Sequence, residues 1–299
     1  MSRTRSYEFR QLDVFASRPL EGNPLAVFPD AHGLSDAEMQ AVAREMNLSE
    51  TTYIFPQNGA GKAREGARAG TRVRIFTVSE ELPFAGHPTL GTAFVLRGES
   101  GAQQVTLDLP VGAIPVQFED PPGQPSFGEM RQRDPEFGTV HDREKVARAA
   151  GLSASELDEN LPVQTVSTGL AFTIVPVKSL AAIRGMRLDY ARATEYLKQT
   201  DGRFFYFVCR ETVDKEARLH ARMIFYKGDD PATGSAAGCA CAWMAMHGVA
   251  AAGERVLIEQ GLEAGRPSRL LVRAERNGGG LHVYVGGNAV EVARGELSL

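Results

Sequence analysis

The sequence predicts an α+β protein built twice over, each copy a β-rich sheet curled around one central apolar helix. Two runs, 88–96 and 236–246, contain no charged side chain. A helix that is apolar all round has to be buried centrally. Each run follows a Pro-x-x-Gly turn, Pro83-Phe84-Ala85-Gly86 in one place and Pro231-Ala232-Thr233-Gly234 in the other. Short β-branched and aromatic stretches bounded by Gly, Pro and Asn surround both. Strands wrapped around a central helix explain this pattern better than a doubly wound sheet with amphipathic outer helices.

Along the chain, 12–15 and 25–28 are apolar strand-like runs on either side of the turn-rich Arg18-Pro19-Leu20-Glu21-Gly22-Asn23-Pro24. A helix follows, because Ser35 and Glu38 stand at capping-box spacing and Met39, Val42, Ala43 and Met46 form one apolar stripe. A strand is expected at 51–55, a Gly, Ala and Arg hairpin tip at 57–71 and another strand at 73–76. The Pro, Gly and charge between 119 and 138 suit a connection. We therefore expect domains at 1–120 and 121–299, with the last strand able to pack back on the first domain. Gly22-Asn23-Pro24-Leu25-Ala26-Val27-Phe28 is echoed by Gly169-Leu170-Ala171-Phe172-Thr173-Ile174-Val175, and the two Pro-x-x-Gly turns lie at nearly the same offset, which suggests duplication.

Composition narrows the function. The 299 residues are 43% hydrophobic with a net charge of −4, and no basic run stands out, so nucleic acid is not the expected partner. The uncharged stretch 231–253 is rich in Ala and Gly and contains His247, which suits a buried helix better than a membrane span. Cys209, Cys239 and Cys241 lack disulfide or zinc spacing, so reduced thiols and a cytoplasmic setting are expected. His32, His87, His141, His220, His247 and His282 are scattered without metal-ligand spacing, and no metal is expected.

The chemistry is expected at the two helix starts. The first backbone N–H groups there lack intrahelical partners and the dipole is positive, so each turn presents an anion site, with Gly86 and Gly234 letting a ligand approach. His87 and Ser235 also admit a plainer reading as N-caps. Gly234-Ser235-Ala236-Ala237-Gly238 misses the serine-hydrolase elbow spacing. Glu50 sits where the amphipathic helix gives way to a β-rich run. A lone glutamate is normally solvated, but a half-buried one could take and return a proton. Asp229 and Asp230 precede the second turn, as an Asp-Pro turn starter or, for Asp230, as a group acting on His87.

Five stretches, 15–24, 43–50, 81–88, 230–238 and Gly265-Arg266-Pro267-Ser268, closely resemble the phenazine-biosynthesis PhzF family, in its order and across nearly the whole chain. The resemblance implies the diaminopimelate epimerase-like fold, with two pseudo-symmetric domains and an active site between them. It also implies cofactor-free isomerase chemistry, the type member converting trans-2,3-dihydro-3-hydroxyanthranilic acid by moving a hydrogen between ring carbons. The family's acid-base glutamate falls on Glu50, and its active-site histidine and aspartate on His87 and Asp230. Gly86, Gly234 and Ser235 match its substrate cradle, with Asn23 and Ser49 at nearby polar positions. A small carboxylated substrate and a homodimer are implied, with neither nucleic acid nor membrane as partner. Related epimerases place cysteines where His87 and Ser235 stand, which disfavours two-thiol racemisation. The segment 223–229 departs from the loop of phenazine producers. The alternatives are an amino-acid epimerase or racemase on the same fold, or a small-molecule binding protein that kept the cleft alone.

Overall fold

The computed structural model describes residues 4–56, 70–98, 100–225 and 228–299. The chain divides into two compact units, Met1–Met130 with Gly286–Leu299, and Arg131–Val285. The expected hairpin tip at 57–71 lies, apart from Gly70 and Thr71, outside the described residues.

Unit 1 runs through β1 (Ser6–Val14), β2 (Asn23–Phe28), α1 (Asp36–Met46), β3 (Glu50–Phe55), β4 (Thr71–Phe76), β5 (Glu81–Leu82), α2 (Gly86–Arg97), β6 (Gln104–Leu109), β7 (Gly112–Glu119) and β8 (Phe127–Arg131). The C-terminal strand Ala289–Ser298 returns to pair antiparallel with β1, from Ser6↔Ser298 to Val14↔Ala289. The stretch 119–138, taken from its Pro and Gly as a connection, instead contains β8, which pairs with β7 through Val116↔Met130. Buried Phe127 and Met130 give that strand its apolar side, and the break falls at 130/131 rather than near 120.

Helix α1 forms where expected. Ser35 and Glu38 make both bonds of the capping box, Met39, Val42 and Ala43 are buried, and Asn47 closes the helix in the left-handed region at φ 52°. This helix packs on one side of β3 and β4. Helix α2 packs against β1, β2, β3 and β6, so the sheet bends round it, and every residue from Gly86 to Ala93 is buried.

Unit 2 comprises β9 (Glu136–Val140), α3 (Arg143–Ala150), β10 (Gln164–Ser167), β11 (Ala171–Val177), α4 (Leu180–Gly185), α5 (Tyr190–Leu197), β12 (Phe204–Cys209), β13 (Ala217–Arg222), β14 (Ile224–Phe225), β15 (Gly228–Asp229), α6 (Gly234–Met246), β16 (Arg255–Gln260), β17 (Ser268–Asn277) and β18 (Gly280–Gly287). Helix α6 packs on β10, β11 and β17 and is buried over most of its length. Gly278 and Gly279 form the turn between β17 and β18.

Pairing in the two units follows one pattern. In unit 1, β1–β2 is antiparallel, β2–β3 parallel, β3–β4 antiparallel, β4–β6 parallel and β6–β7 antiparallel. In unit 2, β10–β11, β11–β12, β12–β13, β13–β16 and β16–β17 repeat that order of senses. The sequence echoes mark corresponding places, β2 with β11 and the start of α2 with the start of α6.

The approach of α2 to its sheet depends on Gly91. A Cβ there would stand 2.6 Å from Leu25 Cδ2 and 2.7 Å from Val14 Cγ2. Gly91→Val should cost about 1–3 kcal/mol through overpacking, outweighing a helix-propensity gain within ~1 kcal/mol. Urea unfolding measures it, and a variant as stable as wild type would contradict so close an approach.

Candidate active site

Strand β3 has two differently used sides. Tyr53 donates its hydroxyl to the Met39 carbonyl of α1 at 2.6 Å, whereas Thr52 accepts from Thr92 Oγ1 of α2 at 2.8 Å. Side chains alternate along a strand, so Glu50 shares the α2 side with Thr52. Leu25 pairs with Glu50 in the β2–β3 ladder and touches the α2 side at Gly91. Asn23, two residues earlier on β2, therefore belongs to that side as well, and it is wholly buried. The left-handed turn at Asn47 ends α1 three residues before Glu50. Ser49, in between, is exposed.

The lone-glutamate reading of a solvated carboxylate does not hold. The Glu50 side chain is only 16% exposed and His87 only 6%, and His87 Nε2 stands 3.4 Å from Glu50 Oε2. That distance is contact without hydrogen-bond geometry. Burial pushes the His87 imidazole down to about 3, so it is neutral at physiological pH. The positive end of α2 acts in the same sense.

Neither His87 nor Ser235 is an N-cap, which overturns the plainer reading of both. Each occupies the second helical position, behind Ala85 and Thr233 at the caps. Ala85 has no side chain with which to cap, and its carbonyl accepts from Thr89 N at 3.2 Å and Thr89 Oγ1 at 2.7 Å. Pro88 carries no N–H, so Gly86 and His87 supply the first amides of α2. Thr233 could cap α6 but does not; its hydroxyl donates to Asp230 Oδ2 at 2.5 Å. The amides of Gly234 and Ser235 therefore begin α6 without a side-chain cap, as those of Gly86 and His87 begin α2.

Asp229 and Asp230 separate cleanly. Asp229 accepts a two-pronged bond from Arg222, at 2.6 and 3.2 Å, and Arg222 also donates to the Ile183 carbonyl at 2.8 Å. Asp229 is thus tied to the scaffold, and Asp230 is the residue joined to the start of α6. Beneath that start, Gln132 Nε2 donates to the Gly234 carbonyl at 3.0 Å while Thr168 Oγ1 donates to Gln132 Oε1 at 2.6 Å. Gly238 makes room, since a Cβ there would lie 1.9 Å from Gln132 Oε1. Neither Gln132 nor Thr168 carries a motif signal; their role comes from tertiary placement.

The thiols stand away from the helix starts. Cys239 and Cys241 lie within α6, and burial raises Cys239 to about 11, so it is a thiol rather than a thiolate. Other histidines have structural partners. His141 contacts Tyr196 and Thr165 at 2.9 and 2.8 Å, and His220 contacts Glu259 and Glu263 at 2.9 and 3.0 Å. No group of three or more His, Cys, Asp or Glu suited to a metal occurs among the described residues, and none of the described helices is long and apolar enough to cross a membrane.

Comparison with known proteins identifies the family. The model of the phenazine biosynthesis-like protein family matches residues 12–295. An uncharacterised isomerase of Mesorhizobium japonicum is 39% identical over 98% of this chain and 99% of its own length. The trans-2,3-dihydro-3-hydroxyanthranilate isomerase of Pseudomonas chlororaphis is 35% identical over 96% of this chain and 98% of its own. Among solved structures, a protein described as a predicted epimerase from Pseudomonas aeruginosa superposes with a TM-score of 0.82 at 38% identity, covering 97% of this chain and 99% of that one. A probable proline racemase from Agrobacterium radiobacter, 12% identical with a TM-score of 0.63 over 98% of this chain and 93% of its own, shares the fold alone. The chain belongs to the PhzF family of isomerases and has the diaminopimelate epimerase-like fold.

The neutral state of His87 has a consequence for stability. Between its folded value of about 3 and the ordinary 6.5, the unfolded chain binds a proton that the native protein does not. The stability present above 6.5 is therefore lost progressively as pH falls through that window. His87→Gln should show a smaller loss of unfolding free energy from pH 7 to pH 4.5 than wild type, measured by denaturant titration at each pH. Parallel losses would mean that His87 accepts a proton without penalty.

Proposed function

We propose that Glu50 removes an acidic C–H proton from a small carboxylated substrate and returns it to a different carbon of the same molecule. The observation that carries this reading is the Glu50 carboxyl, mostly withdrawn from water and in contact with a buried, neutral imidazole at the head of α2. trans-2,3-Dihydro-3-hydroxyanthranilate is the first compound to test, because the Pseudomonas chlororaphis relative carries that substrate in its name.

In this scheme Glu50 takes the proton as its C–H bond breaks, and the electron pair spreads over the adjacent unsaturated system. The protonated carboxyl then delivers to the second carbon, so one bond is broken and one made with no net redox change. His87, unable to ionise near neutrality, orients the carboxyl and polarises without competing for the proton. Asp230 is the second polar group of the machinery. The uncapped amides of Gly86 at the start of α2 and of Gly234 and Ser235 at the start of α6 are the candidate groups for binding the substrate carboxylate and the charge that develops beside it. Asn23 lies on the same side of unit 1 as Glu50 and serves in binding, with Ser49 at the neighbouring position. The scheme calls on no cofactor. A homodimer in the cytoplasm completes the reading, on likeness to the family.

Glu50→Gln keeps the shape and removes the proton carrier. Its turnover should fall by about 10²–10⁴-fold with an unchanged circular dichroism spectrum, and the wild-type reaction in D₂O should place deuterium on the newly protonated carbon. Turnover within a few-fold of wild type would take Glu50 out of the role.

A further inference from the structure

Gln260, at the end of β16, is fully buried, and its carboxamide makes four hydrogen bonds. Oε1 accepts from Tyr206 O–H at 2.9 Å and from Thr233 N–H at 3.2 Å. Nε2 donates to the Asp230 carbonyl at 2.8 Å and to Thr233 Oγ1 at 2.9 Å. These bonds fill the capacity of a primary amide, two acceptor and two donor sites. They also decide which way round the amide lies. A flip would set NH₂ against the backbone N–H of Thr233 and oxygen against the backbone carbonyl of Asp230, and neither backbone group can change its character.

With that orientation set, the direction of the next bond follows. Gln260 Nε2 donates into Thr233 Oγ1, so the hydroxyl proton points elsewhere, and its acceptor is Asp230 Oδ2. Burial, with Asp230 nearby, holds Tyr206 well above the ordinary phenol range, so its hydroxyl remains a donor to Gln260 throughout the working pH range. One hydroxyl thus serves two ends. It keeps Asp230 as an acceptor, and it is withdrawn from capping α6, whose first amides stay available.

Resting on the catalytic reading of Asp230 above, we propose that Gln260 and Thr233 are positioning residues for the isomerase reaction. Gln260 orients the Thr233 hydroxyl so that Asp230 is held as an ionised acceptor beside an uncapped helix start. Neither side chain is required to touch substrate.

Loss of a hydrogen bond to an ionised carboxylate raises its protonation midpoint by about one to two pH units. The midpoint of Asp230 can be read from its ¹³Cγ signal in aspartate-labelled protein, assigned by its disappearance in Asp230→Asn. Thr233→Val, which keeps the shape and removes the hydroxyl, should shift that midpoint upward by about one to two units. Thr233→Ser should restore it to the wild-type position. Gln260→Glu, which can no longer donate twice, should move it in the same direction as Thr233→Val. The acid limb of the kcat/KM profile with trans-2,3-dihydro-3-hydroxyanthranilate should follow these midpoints, a response that mere loss of stability would not produce. An Asp230 midpoint unmoved in folded Thr233→Val and Gln260→Glu would overturn the proposal. Unimpaired turnover by Asp230→Asn would instead strike at the catalytic reading of Asp230, and the ¹³C titration stands apart from it because it needs no turnover.

Discussion

Everything in unit 1 turns on enclosing a helix that has no polar side. Because α2 cannot face water along its first eight residues, strands β1, β2, β3 and β6 close around it. Whatever projects from those strands towards its beginning is buried too. Glu50 is such a group, and burying a carboxyl costs free energy unless something polar meets it. Here it meets the imidazole of the second helical residue, which the same enclosure keeps neutral. Helix enclosure, carboxyl burial and imidazole neutrality are thus one constraint, and the proton chemistry proposed for Glu50 rests on it.

The two units share a pairing order but not a chemistry. Leu25 of β2 pairs with Glu50, and Phe172, which stands at the corresponding place in the echoed segment, pairs with Phe204. The ladder that offers a carboxyl in one unit offers a phenyl ring in the other. At the helix starts, His87 is matched by Ser235, and the capless Ala85 by Thr233, a residue able to cap whose hydroxyl is drawn to Asp230. Both units therefore arrive at a helix beginning without a side-chain cap, one by lacking the group and the other by diverting it. The two units thus share an uncapped helix start and differ in their ionisable residues.

Much of this was legible in the residues. The charge-free runs after Gly86 and Gly234 gave the two central helices, because burial of a whole helix needs a whole apolar sequence. Ser35 and Glu38 marked α1, since capping is local. Strand β8 was hidden because its Pro- and Gly-rich flanks look like a linker, and its pairing with β7 is a tertiary matter. The burial of Glu50 could only be suspected at a helix-to-strand junction; strand alternation and the register with Leu25 supply the reason. Asp229 and Asp230 are indistinguishable by type; the resemblance picked out Asp230, and the physical difference is the fork from Arg222 on Asp229 and the Thr233 hydroxyl on Asp230. Gln132, Thr168 and Gln260 gave no sign at all, because a glutamine becomes informative only when its four hydrogen-bonding sites find fixed partners.

The central claim is that a buried carboxyl moves the proton while the histidine beside it stays uncharged. The most direct measurement is the ¹⁵N spectrum of the His87 ring between pH 5 and pH 8, assigned with His87→Gln. The account predicts one protonated and one unprotonated ring nitrogen across that range, with no titration. An imidazolium pattern near neutral pH would contradict it, and would make His87 a candidate proton donor in its own right.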